Sequence, residues 1–422
     1  MKNILPQTFI DYTRPLMGDE CFERYLHSFE EDAPVSIRLN PMKTKGMEPI
    51  DGEPVPWCRN GYYLKQRPNF TMDPLFHAGC YYVQEAASMF LDEVLRQHLT
   101  AHRSPFTALD MCAAPGGKST LLRAALPADS TLISNEPIRQ RASILAENVQ
   151  KWGYPNHVVT NNYPQAFRAS KFCFDVILCD VPCSGEGMFR KDPATIREWS
   201  PQNVEKCWRL QREIVADAWQ CLNPGGLLIY STCTFNTKEN EENISWILTE
   251  YDAQVLAVET KAEWNITGSL LEGFTAPVYR FIPGISRGEG LFLCLLQKGS
   301  NSQYQRLVRS VPTAGTHSTN SWYNSWYDPR KPIAQFNIIC QNTSETTQHS
   351  LTELSYQQAI SYLRGEALRL SDDTPRGEVT VCFLGHPLGM VKNIGSRANN
   401  LYPKPWRIKT THIPEDYEPI LR

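Results

Sequence analysis

The sequence predicts an α/β protein whose central sheet is largely parallel and covered by helices on both faces. Between residues 106 and 298, short apolar runs alternate with longer amphipathic stretches, which is the pattern of such folds. Three motifs, CAAPGGKS, DVPCSGEG and STCT, each stand at the end of an apolar run. They would therefore lie together at the carboxyl edge of the sheet, where ligands bind in open α/β folds. The length of 422 residues leaves room for further domains.

The predicted elements follow in order from the N-terminus. Residues 1–100 mix helix and strand signals, and the stretch YYVQEAASMFLDEVLRQHL predicts a helix over 81–99. Apolar runs then predict the strands FTALDM, TLISNE, HVVTN, FDVILCD, LLIYSTC and LFLCLLQ. The stretches PIRQRASILAENVQKWG and QNVEKCWRLQREIVADAWQCL predict helices between them, and NPGG ends the second.

The composition changes after Lys298. Segment 299–350 is rich in Ser, Thr, Asn and Gln and weakly periodic, which predicts a linker or an irregular subdomain. Beyond it, LSYQQAISYLRGEALRL predicts a helix, and GEVTVCFLGHPLGMVKN has the strand and turn signals of a small β-rich domain. We therefore expect four parts, at 1–100, 101–298, 299–350 and 351–422.

Composition excludes several classes of protein. No run approaches the ~20 apolar residues that span a bilayer, and acidic residues appear too early for a secretory signal, so we expect a cytoplasmic protein. The 13 cysteines include no CxxC pair and the nine histidines lack zinc spacing, so we expect no metal. The net charge is only −3, but basic residues cluster near the C-terminus at Arg376, Lys392, Arg397, Lys404, Arg407 and Lys409. Such a cluster is either a phosphate-facing patch or a solvated basic face.

The turn CAAPGGKS has the character of a cofactor loop. It matches neither GxGxxG nor the phosphate-binding GxxxxGK[ST], but Gly116 and Gly117 would let the backbone approach a ligand closely. Glu136 follows the second predicted strand, where an acidic group binds ribose hydroxyls in such folds. Its alternative role is that of a helix N-terminal acid that interacts with the helix dipole. A nucleoside cofactor without a polyphosphate fits best, and we expect S-adenosylmethionine.

Two thiols and a carboxylate, Cys183, Cys233 and Asp180, stand at the ends of two predicted strands. DVPCSGEG resembles the loop with which amino-group methyltransferases hold a planar amine, but it carries a thiol. A thiol adds to carbon or moves a proton, which shifts the expected target from an exocyclic amine to a ring carbon. Methylating carbon 5 of a pyrimidine needs a thiolate that adds to carbon 6, an acid or hydrogen-bond partner at ring nitrogen 3, which would be Asp180, and a group that assists elimination. The residues themselves leave the order of the two thiols open.

The motifs ALDMCAAPGGKS, DVILCDVPCSGEG and YSTCTFNTKENE resemble those of the NOL1/NOP2/Sun family of RNA 5-methylcytosine methyltransferases. The resemblance runs from about Val35 to Lys298. It implies a Rossmann-like class I S-adenosylmethionine-dependent methyltransferase with an N-terminal α+β RNA-binding region.

The same resemblance implies roles for individual residues. The implied catalytic residues are Cys233 as nucleophile, Cys183 in release of the methylated base, Asp180, and Lys118, which would neutralise the cofactor carboxylate or a substrate phosphate. The implied cofactor contacts are Cys112, Ala113, Ala114, Pro115, Gly116, Gly117, Lys118, Glu136 and Asp180. Where the family has an acidic residue after the third strand, this chain has asparagines, and we expect the Asn162 oxygen to accept a hydrogen bond from the adenine amino group.

The C-terminal motifs YLRGEALRL, HPLGMVKN and NLYPKPWR resemble the small β-rich, PUA-like RNA-binding domain of the bacterial RsmF/YebU type. The resemblance implies 16S ribosomal RNA or the small ribosomal subunit as substrate and partner, and we expect a monomer. Trp406 could stack on a base or fill a small β core. Two alternatives stay open, transfer RNA as the substrate and a non-catalytic RNA-binding factor for ribosome assembly. The intact thiols, carboxylate and cofactor loop argue against the second.

Overall fold

The computed structural model describes residues 5–99, 105–170, 172–300, 309–310, 337–342, 349–410 and 412–422. Within these ranges the chain forms a central sheet and two smaller four-stranded sheets. No described helix is both long enough and apolar enough to cross a membrane. The boundary predicted between residues 100 and 101, and most of the predicted linker at 299–350, lie outside the described residues.

The N-terminal part combines helices with a small antiparallel sheet of order β2-β3-β1-β4. Its elements are α1 Gln7–Met17, α2 Asp19–His27, β1 Val35–Leu39, β2 Gly52–Pro54, β3 Gly61–Leu64, α3 Pro74–His77, β4 Tyr81–Val83 and α4 Phe90–His98. The helix predicted over 81–99 is wrong in its first half. Tyr81 and Val83 instead pair with β1, because tertiary pairing of these β-prone residues outweighs the helical spacing of the run.

The central domain holds the predicted α/β alternation. Its elements are β5 Thr107–Asp110, α5 Gly117–Ala125, β6 Thr131–Asn135, α6 Arg139–Trp152, β7 His157–Thr160, α7 Pro164–Ser170, β8 Phe172–Asp180, α8 Pro193–Glu198, α9 Pro201–Cys221, β9 Leu222–Thr232, α10 Glu241–Glu250, β10 Ala253–Leu256, β11 Tyr279–Phe281 and β12 Leu291–Lys298. Strands β9, β8, β5, β6 and β7 run parallel in that spatial order. At the β9 edge, β12 pairs antiparallel with β9, and β10 pairs antiparallel with β12.

The parallel strands are buried on both faces. Leu109 of β5 pairs with Ile177 of β8, and both belong to the apolar cluster on one face of the sheet. Their neighbours Ala108 and Val176 belong to the cluster on the other face. A strand covered on both faces reads as a continuous apolar run, which is why these strands are visible in the sequence.

The segment after residue 300 contributes two strands to the central domain, β13 Arg309–Ser310 beside β8 and β14 Ile338–Asn342 beside β7. Strand β14 is antiparallel to β7 and adds to that edge of the sheet. Residues 338–342 are therefore not irregular, although they lie in the segment predicted as linker or irregular subdomain. None of the described residues within segment 299–350 is helical.

The C-terminal part forms the third sheet, of order β15-β16-β17-β18, beside one helix. Its elements are β15 Ser350–Glu353, α11 Tyr356–Leu363, β16 Gly377–Phe383, β17 His386–Asn393 and β18 Ala398–Asn400. The helix predicted over 354–370 is shorter than expected. It stops before Gly365, whose φ of 87° is left-handed and ends helices.

The C-terminal part and the N-terminal sheet share one hydrophobic core. Ile37 and Leu75 from the N-terminal part belong to the same buried cluster as Val379 and Leu421. Backbone hydrogen bonds also join Glu48 to Arg422 in both directions. The two ends of the chain therefore form one packed unit against the central domain.

Candidate active site

The site lies at the carboxyl edge of the central sheet, where the loops after β5, β6, β8 and β9 meet. The loop after β5 and the first turn of α5, residues 111–118, form what we call the cofactor loop. The loops after β8 and β9, residues 181–188 and 233–240, are called the Cys183 loop and the Cys233 loop. Each carries one of the cysteines that the sequence singles out, and the structure brings all three loops together.

The carbonyl groups of the cofactor loop are engaged in hydrogen bonds within the protein. Arg141 donates to the Ala114 oxygen at 3.0 Å, and Asn148 donates to the Pro115 oxygen at 2.8 Å. The Gly116 and Gly117 oxygens accept from Thr120. The first turn of a helix leaves its amides without helical acceptors, and α5 has no side-chain cap hydrogen bond at its N-terminus, so N–H groups there are available to a ligand. Such amides suit a carboxylate.

Lys118 and Asp180 form an ion pair that ties the cofactor loop to β8. The Nζ of Lys118 lies 2.9 Å from Oδ2 of Asp180, and the Ser231 hydroxyl donates to Oδ1 at 2.7 Å. Burial disfavours the ammonium, but the charge and hydrogen bond of Asp180, followed by the charge of Cys233, raise the pKa of Lys118 overall. Asp180 therefore accepts hydrogen bonds through both oxygens, and Lys118 is the charged donor near Cys233.

The two cysteines are in direct contact. Their sulfurs are 3.2 Å apart, and the Cys233 amide donates to the Cys183 sulfur at 3.3 Å. Both side chains are half-buried. The hydrogen bond to Cys233, burial, and the charges of Cys233 and Glu239 raise the pKa of the Cys183 thiol well above its ordinary value. Cys183 therefore keeps its proton and can donate it in a hydrogen bond to the Cys233 sulfur.

The Cys183 and Cys233 loops are held together by buried carboxylates that the sequence reasoning missed. Glu239 accepts hydrogen bonds from the Ser184 amide at 3.0 Å and from the Asn236 amide group at 2.8 Å. Glu186 accepts from the backbone amides of Phe235 and Asn236 at 2.7 and 3.0 Å. Both carboxylates are almost fully buried, at 0% and 1% exposure. The sequence signal that could have identified these two acids is their position, since Glu186 in SGEG and Glu239 in TKENE follow the two cysteines within a few residues.

Glu136 is placed at the end of β6, as predicted, with 1% exposure. Its Oε1 accepts from the Ile138 amide at 3.0 Å, and its Oε2 lies 3.4 Å from Arg141. The carboxylate thus makes the helix N-terminal contact of the alternative reading, while each oxygen retains a lone pair for a further donor.

The Asn162 side chain does not offer the atom that we expected from the sequence. Its Oδ1 accepts from the Asn337 amide at 3.2 Å, so this oxygen is engaged by the residue that precedes β14. Its Nδ2 is buried and has no hydrogen-bond partner among the described residues. In this orientation the side chain offers a donor to a ligand, where the sequence predicted an acceptor.

Two further cysteines near the site, Cys179 and Cys112, pack beside the sheet. Cys179 is fully buried in an apolar cluster, and Cys112 packs against the same cluster beneath the cofactor loop. Burial raises the pKa of the Cys112 thiol well above its ordinary value. A thiol that resists ionisation is a poor nucleophile, so Cys112 does not join the other two thiols.

Arg38 supports the cofactor loop from the N-terminal part. It donates to the Gly117 oxygen at 3.1 Å and to the Thr120 hydroxyl at 2.6 Å, and its guanidinium lies 4.4 Å from the Trp152 ring centroid. Burial lowers the pKa of Arg38 to about 10. Arg38 therefore anchors the cofactor loop and is itself buried from solvent.

The basic residues near the C-terminus divide into two groups. Five are exposed: Arg376, Lys392, Arg397, Lys404 and Lys409. Arg407 instead donates to the Tyr402 oxygen at 3.3 Å. The Trp406 ring packs against the shared core, with the Lys151 ammonium 5.5 Å from its centroid. Trp406 is thus half-buried where the C-terminal part meets α6, which favours the packing role over base stacking.

Family models match three parts of the chain. The model described as 16S rRNA methyltransferase RsmB/F matches residues 97–297. Models for the N-terminal domain of 16S rRNA methyltransferase RsmF and for the methyltransferase RsmF PUA domain match residues 5–86 and 350–408. Together these matches show an RsmB/F methyltransferase domain between an RsmF-type N-terminal domain and an RsmF-type PUA domain. The predicted class I methyltransferase fold, with an RsmF-type N-terminal domain and a PUA domain, is confirmed.

Curated relatives extend the family match over most of the chain. The ribosomal RNA small subunit methyltransferase F of Erwinia tasmaniensis is 28% identical over 94% of this chain and 96% of its own length. The protein of the same name from Pectobacterium atrosepticum is 33% identical over 70% of this chain and 63% of its own length.

Solved structures share the fold. A methyltransferase homolog protein from Pyrococcus horikoshii has a TM-score of 0.58 and 26% identity, covering 69% of this chain and 95% of its own. NSun6 from the same organism, solved with SFG, has a TM-score of 0.58 and 20% identity over 71% of this chain and 99% of its own.

The family's methyl donor is S-adenosylmethionine, and the residues present fit it. The free amides at the start of α5 suit the carboxylate of its amino-acid moiety. Glu136 can accept from a ribose hydroxyl, and the unpartnered Nδ2 of Asn162 is a buried polar atom that a heterocycle could satisfy. The basic side chains Lys118 and Arg141 already face carboxylates. The cleft therefore fits a nucleoside with a carboxylate better than one with a polyphosphate.

Proposed function

We propose that the protein methylates carbon 5 of cytosine in small-subunit ribosomal RNA through a covalent Cys233 adduct. The observation that carries the proposal is the contact between the Cys183 and Cys233 sulfurs at 3.2 Å, beside the cofactor loop and the Lys118–Asp180 pair. A methyltransferase acting on an amine or hydroxyl has no use for two thiols in contact. The relatives' name, ribosomal RNA small subunit methyltransferase F, supports the choice of RNA.

Cys233 is the nucleophile in this proposal. Its sulfur is in contact with the Cys183 thiol, which can donate a hydrogen bond to it, and it lies near the Lys118 ammonium. The thiolate adds to carbon 6 of the cytosine, and the electrons of the carbon 5–carbon 6 double bond move towards carbon 4 and nitrogen 3. We expected Asp180 to be the partner at nitrogen 3, but it accepts hydrogen bonds through both oxygens. Lys118 is therefore the proposed donor of a proton or hydrogen bond to that side of the ring.

Cys183 acts in release. When bound, S-adenosylmethionine supplies the methyl group that the activated carbon 5 accepts. Loss of the carbon 5 proton to solvent then restores the double bond and expels the Cys233 thiolate. The Cys183 thiol stabilises the departing sulfur by donating to it. The remaining predicted site residues, Cys112 to Gly117, Glu136 and Asn162, are proposed to hold the cofactor, and we propose that the protein acts as a monomer.

The experiment is nucleoside analysis of small-subunit ribosomal RNA methylated in vitro. RNA or subunits from a strain that lacks this gene would be incubated with the protein and labelled S-adenosylmethionine, then digested. We expect the label in 5-methylcytidine for the wild type and no label with Cys233→Ala. Label in another nucleoside, or only when transfer RNA is supplied, would contradict the proposal.

A further inference from the structure

The Cys183 loop is held by one buried carboxylate from the Cys233 loop. The Ser184 amide, which directly follows Cys183, donates to Oε2 of Glu239 at 3.0 Å. Gln211 of α9 donates to the same oxygen at 2.7 Å, and Asn236 donates to Oε1 at 2.8 Å. Every one of these partners is a neutral N–H donor, and no cation contacts Glu239 among the described residues.

Further contacts join the Cys183 loop to the Cys233 loop. The Gly187 amide donates to the Cys233 oxygen at 2.8 Å, and the hydroxyls of Ser184 and Thr234 are 2.9 Å apart. A Cβ on Gly187 would stand 2.5 Å from the Cα of Gly290, so the loop has no room to shift on that side. Glu239 thus sits at the junction where displacement of one cysteine displaces the other.

The backbone of Glu239 is fixed as firmly as its side chain. Its amide donates to Oδ1 of Asn236 at 2.8 Å, and its oxygen accepts from the Tyr230 hydroxyl at 2.6 Å. A carboxylate held at both ends in a buried network has one position available to it. It can therefore fix the position of Ser184, and through it the sulfur of Cys183.

We propose that Glu239 is a positioning residue that holds Cys183 against Cys233, so that Cys233 attacks and Cys183 assists release. This inference rests on the proposed function and deepens it. The hydrogen bond to Cys233, burial and the charge of Cys233 raise the pKa of Cys183, and the charge of Glu239 adds to that rise. Burial, then the charge of Glu186, raises the pKa of Glu239 itself to about 7, while the donors from Ser184, Asn236 and Gln211 oppose that rise.

The test compares Glu239→Gln with wild type, Glu239→Asp and the control Glu242→Gln. Glutamine has the same shape, but it removes the charge and presents an amide to N–H donors. Glu242 lies on the following turn, is half-buried and makes no side-chain contact with either loop among the described hydrogen bonds and ion pairs. Each variant would be measured for turnover on subunit RNA, for RNA adduct on a denaturing gel, and for S-adenosylhomocysteine affinity and melting temperature.

We expect Glu239→Gln to lower turnover about tenfold or more, the scale set by losing a buried hydrogen bond to a charged group. Adduct should accumulate while S-adenosylhomocysteine affinity stays within about twofold of wild type, since the cofactor loop is untouched. Glu239→Asp, which keeps the charge, should recover part of the turnover, and Glu242→Gln should behave as wild type. A purely structural role would lower the melting temperature and cofactor affinity without producing adduct.

Two results would overturn the inference. One is a folded Glu239→Gln protein that turns over like wild type. The other is a folded variant that turns over poorly and forms no adduct with RNA containing 5-fluorocytidine, which cannot lose its fluorine and so traps the attack step. If the wild-type protein also fails to trap that RNA, the proposed function itself has failed. Normal trapping by wild type confines the failure to Glu239.

Discussion

The Nζ of Lys118 lies 2.9 Å from Oδ2 of Asp180 and bridges the cofactor loop to the strand that ends beside the two cysteines. The sequence reasoning gave Lys118 to the cofactor carboxylate or a substrate phosphate, whereas its contact in the structure is with Asp180. The pair places one positive charge at the point where a thiolate and an electron-rich pyrimidine would both form.

Replacing Lys118 by Met should slow both attack and turnover. The substitution keeps the length of the side chain but removes the ammonium, which leaves Asp180 with only the Ser231 hydroxyl of its two described donors and takes a positive charge away from the attacking sulfur. Alkylation of Cys233 by iodoacetamide at neutral pH should fall, as measured by peptide mass spectrometry. Lys191→Met is the control, because it removes an exposed lysine that lies shortly after the Cys183 loop. Unchanged alkylation would show that Lys118 does not influence Cys233.

Cys233→Ala should abolish methylation while S-adenosylhomocysteine binding persists. The substitution removes the sulfur that adds to carbon 6, while the amides of the cofactor loop and Glu136 are untouched. Methylation would be followed with labelled cofactor and binding by calorimetry. Cys21→Ala provides a matched thiol deletion and should stay active, because Cys21 lies on α2, outside the three loops of the site. Retained methylation by Cys233→Ala would remove Cys233 from the nucleophile role.

Reversing two exposed charges should weaken RNA binding and flatten its salt dependence. Lys392 and Arg397 are both exposed on the C-terminal part, and each phosphate contact contributes about one unit to the slope of log affinity against log salt. The double variant Lys392→Glu, Arg397→Glu is preferable to deleting 351–422, because deletion would also uncover the shared core. Lys261→Glu is the control. An unchanged slope of log affinity against log salt would mean that the basic cluster is a solvated face and does not contact phosphates.

Stability should fall as the pH drops below the ordinary pKa of histidine. Burial, then the charge of Arg123, lowers the pKa of His157 to about 3, and burial, then Lys151, lowers that of His77 to about 3. Because the unfolded chain binds these protons first, the stabilisation is complete above about pH 6.5 and is lost between there and pH 3, by about 1.4 kcal/mol per pH unit for each histidine. Denaturant unfolding at several pH values measures this.

The matched variant for the pH effect is His157→Gln. It should be less stable than wild type at pH 7, because it disturbs the contact of the His157 Nε2 with the Ser134 hydroxyl at 2.8 Å. Its stability should nevertheless decline less steeply between pH 6.5 and 5, since one titrating group is gone. Equal slopes for the two proteins would mean that His157 is not neutral in the folded state.

The fold of the central domain could be predicted because its signal is local. Strands such as FDVILCD are apolar throughout since both faces of the sheet are covered, and the helices between them keep their period. Tyr81–Val83 could not be recognised in the same way, because its pairing with β1 depends on residues far away in sequence. The strand at Ile338–Asn342 and the core shared by the two ends of the chain depend on the same kind of long-range contact.

The candidate site divides along the same line. The positions of Cys183, Cys233, Asp180 and the cofactor loop follow from strand ends meeting at one edge of a parallel sheet. The partners of those residues do not follow from the sequence. That Lys118 faces Asp180, that the Asn162 oxygen is taken by Asn337, and that Glu239 holds Ser184 are facts of three-dimensional contact.

The most direct test of the account is the adduct formed by Cys183→Ala. With the release thiol removed and the contact at 3.2 Å lost, the protein should attack cytosine and fail to let it go. We expect a slow-migrating RNA complex on a denaturing gel, in which nuclease digestion and peptide mass spectrometry find a methylated cytidine on Cys233. An adduct on any other residue, or a folded variant that releases its product at the wild-type rate, would contradict the division of labour between the two cysteines.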